Sequence, residues 1–168
     1  MKFLSTPFKT FAEIAAASTM RQLNKWVSEF AQFDHASCPI LLGRLSIAAR
    51  QRRLMPYAEF VNGVNFTLLD PTQLGVLRRV TIDTVVLRSE HESIIHDFGR
   101  YLGAATFRDS SVFINCLIVP DKYSTRPAKQ FFDWARQIGV LRNHDRKSED
   151  AYWESAVSAV HKKYQSVE

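Results

Sequence analysis

The sequence predicts a mainly helical α+β domain, and three features of residues 91–129 carry that expectation. Ile94, Ile95, Phe98, Leu102 and Ala105 recur at three- and four-residue spacing, which places them on one stripe of a helix. Ser93, Asp97, Arg100, Ala104 and Arg108 fall on the opposite face. From Ser111 to Val119 the run is β-branched and apolar, as a strand buried on both sides would be. The polar, basic stretch PDKYSTRPAK follows at once. A helix that carries arginine outward, then a core strand, then a basic turn is the layout of a winged helix. The expected fold is therefore a winged-helix-like domain with a small β-sheet and extra flanking helices.

The totals set bounds on that fold. The chain has 168 residues, enough for one domain that buries a core without cross-links. Hydrophobic residues make up 46% and charged residues 23%, so disorder is not expected. Twelve Phe, five Tyr and three Trp predict an aromatic core. Twenty-two Lys and Arg against seventeen Asp and Glu leave a net charge of +5, which favours polyanionic partners by long-range attraction. Cys38 and Cys116 are too few for a disulfide framework, which fits a reducing, cytoplasmic setting. Pro7, Lys9 and Glu13 interrupt the apolar core that an export signal would need. No stretch reaches the roughly 20 apolar residues of a membrane span, and no membrane association is expected.

Taken in order, residues 1–19 form an extension ahead of a single domain spanning 20–168. Phe3, Phe8 and Phe11 suit either a tail lying on its own domain or an arm that docks a partner. Leu23, Trp26, Val27, Phe30 and Phe33 predict a core-facing helix from Met20 to Phe33. Ser37 is placed to cap a second helix and Pro39 suits its first turn. Leu41, Leu42, Leu45, Ala48 and Ala49 would bury there, with Arg44, Ser46, Arg50 and Arg52 outward. Tyr57 and Phe60 fit a short helix that exits at Asn62 and Gly63. Asp70 and Pro71 read as a helix start, giving a helix from Pro71 to Arg79 and an extended segment from Val80 to Leu87. Thr125 and Pro127 start a further helix that ends at Gly139. Ser148 then caps the last helix, with Glu149 and Asp150 in its first turn and Lys162 and Lys163 near its end.

Three of these segments resemble the DNA-binding domain of the alkyltransferase and alkyltransferase-like proteins. In that family a short helix opens with a Tyr-Gly-Glu-Leu pattern, and residues 55–60 read MPYAEF. The small residues of its recognition helix are matched by FGRYLGAA at 98–105, and its cysteine-bearing strand by Asn115 to Val119. The proline, histidine and arginine around the family's cysteine are absent here. What the resemblance implies is the winged-helix architecture, without alkyl transfer.

Chemical motifs are sparse. Cys116 sits among Ile114, Leu117 and Ile118, where burial favours the thiol over a nucleophilic thiolate. His35 and Cys38 have the spacing of two metal ligands, but His91, His96 and His144 supply no second pair, so no metal is expected. Gly99 and Gly103 lie inside a helix pattern and read as sites of close packing, not as a phosphate loop, so no cofactor is expected. The sequence therefore points to non-catalytic binding of duplex DNA by a regulator or DNA-sensing component. Arg100 and Arg108 on the helix and Lys122, Tyr123 and Arg126 in the following turn are the leading contacts, with Arg44, Arg50 and Arg52 as secondary ones. The alternative is a protein-interaction subunit of a larger complex, docking through residues 1–19. An enzyme using Cys116 is a third reading with no motif behind it.

Overall fold

The computed structural model describes residues 19–25, 34, 36–70 and 72–165. Residues 1–18, and with them the phenylalanine-rich extension, lie outside that set, as do residues 26–33, the second half of the expected Met20–Phe33 helix. Over 19–25 the chain is helical, and Leu23 packs with Ala104, Phe113, Trp134 and Ile138 in a small second core.

Helix α1 spans Ser37–Arg50 and buries Leu41, Leu45, Ala48 and Ala49, the stripe read from the sequence. Its start is fixed by Asp34, not by the side chain of Ser37. The Asp34 carboxylate accepts the amides of Ala36 at 3.1 Å and Ser37 at 3.0 Å, and the Ser37 hydroxyl at 2.8 Å. Its second oxygen also accepts the amide of Thr67 at 2.9 Å. One buried acid thus closes a helix start and anchors a strand.

Strand β1 (Met55–Pro56) leads into the short helix α2 (Tyr57–Val61), as Tyr57 and Phe60 foretold. Strands β2 (Asn65–Leu69) and β3 (Leu77–Thr81) then form an antiparallel hairpin. The expected helix from Pro71 to Arg79 is absent among the described residues. Asp70 instead turns the chain: its carboxylate accepts the Thr72 amide at 2.8 Å and hydroxyl at 2.6 Å, and Gly75 takes φ +77°. An Asp-Pro pair opens a turn as readily as a helix, and the β-branched residues after it decide for strands.

Helix α3, Ser89–Ser110, is the long central element, and it buries more than one stripe. Ile94, Ile95, Phe98 and Leu102 face the main core, while Ala104, expected outward, is covered by Phe113 and Trp134. The expected strand over 111–119 is mostly a 3-10 helix, Ile114–Leu117, with only Ile118–Val119 as strand β4. Every residue from Val112 to Val119 is buried, so no alternation of faces separates the two conformations. The partner strand is also too short to hold a long one. β4 pairs in parallel with β1, Met55 beside Ile118 and Pro56 beside Val119, and Pro56 has no amide to give. The backbone is satisfied locally instead: Cys116 N–H donates to Phe113 O at 3.0 Å, and Ile114 N–H to the Thr106 hydroxyl at 3.3 Å.

Turns fill 120–127, where the sequence reading placed the wing, and the hairpin lies ahead of the central helix instead. Helix α4 (Lys129–Gln137) ends before Gly139, whose φ is +81°. Helix α5 (Arg146–Gln165) begins at Asp145, whose carboxylate accepts the Ser148 amide at 2.9 Å and hydroxyl at 2.7 Å. Asp145 thus does the capping expected of Ser148. Trp153 donates its indole N–H to Cys116 O at 2.8 Å, tying α5 to the 3-10 helix at the centre. The whole is mainly helical with two small sheets. No helix is long and apolar enough to cross a membrane among the described residues.

Candidate functional site

The eight residues singled out from the sequence do not share one environment. Arg44 turns back on its own fold: its guanidinium donates to Phe60 O at 2.8 Å, Glu59 O at 3.1 Å and Asn62 O at 2.7 Å, closing the end of α2. Arg52 donates to Gln165 Oε1 at 2.7 Å. Arg100 is half-buried, 3.6 Å from Asp97, and Arg108 bonds Asp109 at 2.9 Å. Arg126 lies over the Phe132 ring, 4.4 Å from its centroid, and pairs with Glu149 and with Asp150 at 2.6 Å. Glu149 also holds Arg136, so one carboxylate links the 120–127 turns, α4 and α5. Burial alone would push the Glu149 carboxyl up, but the two guanidiniums beside it outweigh that and hold it below the usual carboxylate range.

The remaining three face solvent. Arg50 is exposed with no hydrogen bond or ion pair among the described residues, and Lys122 sits 4.9 Å from the ring centroid of Tyr123, which is 81% exposed.

A second candidate is a small pocket of mixed lining between α2, α3, the 3-10 helix and α4. It encloses about 20 Å³ and is lined by Tyr57, His96, Gly99, Arg100, Asn115 and Gln130, among others. That volume suits a single water. Tyr57 Oη and His96 Nε2 are 3.1 Å apart. Burial, with the Arg100 charge alongside, pushes the imidazole down to about 4, and burial with Glu92 nearby raises the phenol. Both rings are neutral at physiological pH. The two cysteines supply no activated nucleophile: burial, with Asp34 adding to it, raises Cys38 to about 12, and burial raises Cys116. Among the described residues no cluster of three metal-ligating side chains occurs.

Gly99 and Gly103 do what close packing requires. A Cβ on Gly99 would lie 3.1 Å from Ile118 Cδ1, and one on Gly103 would lie 2.5 Å from Asn115 Cγ. The amide of Asn115, 7% exposed, therefore rests against the bare backbone of α3.

The third candidate is the hairpin, and the sequence reading missed it. Among the described residues nine large hydrophobic side chains are exposed, and six of them are Leu69, Leu74, Val76, Leu77, Val85 and Val86, all in the hairpin and the loop that follows it. Leu69 and Leu77 are register partners, so their side chains meet on one face. Val85, 89% exposed, is held out by an Asx turn in which Asp83 accepts the Val85 amide at 2.8 Å. Two apolar runs around an Asp-Pro and glycine turn were the available signal.

The two edges of the hairpin differ. On β2, Thr67 N–H points to Asp34 and Asn65 C=O accepts the Ser37 hydroxyl at 3.3 Å. Residues 65, 67 and 69 thus direct their backbone groups away from β3, and the even-numbered residues make the ladder, as the bond from Asp70 N–H to Val76 O at 2.8 Å continues it. On β3 the partners of 65, 67 and 69 are Thr81, Arg79 and Leu77. Their N–H and C=O groups must then face outward, and among the described residues no hydrogen bond engages them. The α1 start covers one edge and leaves the other open. Neither a family model, nor a curated protein, nor a solved structure matches this chain.

Proposed function

We propose that this chain is a protein-interaction module that receives its partner on the β2–β3 hairpin. The observation that carries this reading is the concentration of exposed apolar side chains between Leu69 and Val86, beside an open strand edge. Small domains rarely leave so many large apolar residues together in water unless another surface covers them. Hairpins used this way combine main-chain hydrogen bonds for affinity with side-chain pockets for specificity.

Duplex DNA binding is the second reading, and what favours it is narrower: the net charge of +5 and the exposed Arg50, Arg79 and Lys122, none of which has a carboxylate partner among the described residues. The acids on Arg100, Arg108 and Arg126 weigh against it, because a paired guanidinium has to give up its carboxylate before it takes a phosphate.

One pair of experiments separates them. Proteins recovered with the chain from its own cells would be purified and titrated against wild type and a Leu74→Ser, Leu77→Ser variant. The module reading expects Kd to rise at least about tenfold in the variant, which corresponds to about 1.4 kcal/mol. An unchanged Kd overturns it. A 20-bp duplex titrated at two salt concentrations gives the other arm: DNA binding expects log K to fall with log salt by about 0.9 per phosphate neutralised, and to lose slope in Arg50→Ala and Lys122→Ala.

A further inference from the structure

We infer that β3 is an acceptor edge for an extended segment of another protein, and that Arg79 selects a segment with a carboxylate at its centre. This rests on the interaction reading above and names the chemistry of the partner. Leu77, Arg79 and Thr81 turn their backbone groups outward, so an added antiparallel strand has three alternate residues to pair with. The same three residues place their side chains on the face they share with Asn65, Thr67 and Leu69, away from buried Phe66.

Each position makes a different demand. Leu77, 56% exposed and beside Leu69, calls for an apolar neighbour. Thr81 bonds Asn65 Oδ1 at 2.5 Å and is polar and satisfied. Between them stands Arg79, exposed and opposite neutral Thr67, with no ion pair among the described residues. Its neighbour Arg78 lies on the other face and is paired with Glu90, so only one of the two arginines is left for a partner.

A second copy of this chain is a poor occupant. Two β3 strands that both used residues 77, 79 and 81 would be centred on Arg79, setting it against its own equivalent. Like charges directly opposite destabilise a strand pair. Registers shifted by one residue pair set Arg79 against Leu77 or Thr81 and leave it without a counter-charge. A lone cation on an open edge is a common means of preventing self-pairing, and here it also states what the edge accepts.

The probe is a heptapeptide of alternating threonine and valine with a central glutamate, titrated into the full chain and followed by backbone amide NMR. We expect shifts at Leu77, Arg79 and Thr81 with little change at Arg78 and Val80, and about fivefold weaker binding of the same peptide with a central lysine, in keeping with the size of cross-strand charge pairs. Arg79→Glu should reverse that preference. Equal binding of the two peptides, or no shift at the three outward amides, overturns the inference. So does a sedimentation result showing that the chain dimerises and that Leu77→Pro abolishes the dimer. If the peptide leaves β3 untouched while the Leu74→Ser, Leu77→Ser variant still loses its cellular partner, the edge is wrong and the interaction module stands.

Discussion

A single missing methyl group sets how closely the centre of this molecule packs. At Gly103 a Cβ would collide with the Asn115 amide, whereas at Gly43, inside α1, it would meet nothing within 4 Å. Alanine favours a helix over glycine by about 1 kcal/mol, so the two positions should respond with opposite signs. Gly43→Ala is expected to stabilise by about 0.5–1 kcal/mol. Gly103→Ala has the same local gain but is overpacked, which costs about 1–3 kcal/mol, so its net effect should be a loss, relieved by adding Asn115→Ala. At about 2–4 °C in Tm per kcal/mol for a chain of this size, thermal melts resolve both signs. A Gly103→Ala variant as stable as wild type would contradict the packing described. The glycine pair was legible from its spacing within a helical pattern; Asn115, the residue it accommodates, was not, because nothing local marks an asparagine that packs against a helix.

Between elements, the same limit recurs. Amphipathic stripes located α1, α4 and α5 and the core side of α3, since helix periodicity is a local property. Caps were displaced by a few residues: Asp34 and Asp145 do what Ser37 and Ser148 were expected to do, because an acid just ahead of a helix reaches the same free amides as a serine at its start. Asp34 is the more consequential, as it is 5% exposed and also holds Thr67. Asp34→Ala should cost about 2–4 kcal/mol, a lost cap plus buried donors left without an acceptor. Hydrogen exchange should show the Thr67 amide losing protection more than that of Val80, which lies inside the hairpin ladder. Equal protection in wild type and variant would mean that α1 does not hold the hairpin. The hairpin itself was misread because Asp70 and Pro71 begin helices and turns alike, and pairing partners eight to sixteen residues away decide between them.

For the molecule as a whole, the count and clustering of cations were legible in the sequence, but the acids they pair with were not. Arg126 and Glu149 lie 23 residues apart, so no local reading could reveal that the expected wing cation is already paired. Acid sensitivity follows from such burial. His96 has its pKa lowered from 6.5 to about 4, so the folded chain binds fewer protons than the unfolded one in that interval. The stabilisation is full above about 6.5 and is lost as pH falls toward 4. Tyr57, Glu92, Asp97 and Arg100 are the ionisable groups around it. His96→Gln should flatten the fall in Tm between pH 7 and 5, and an unaltered slope would exclude His96 as its source. His161, lowered by burial with Arg52 alongside, adds a smaller contribution of the same sign. Glu149 acts lower: its contribution is present above about 4.5 and disappears as pH drops below that. The two cysteines carry a last consequence. With burial raising both thiols, and the Asp34 charge adding to it at Cys38, neither cysteine readily offers the thiolate that an oxidant or electrophile attacks first.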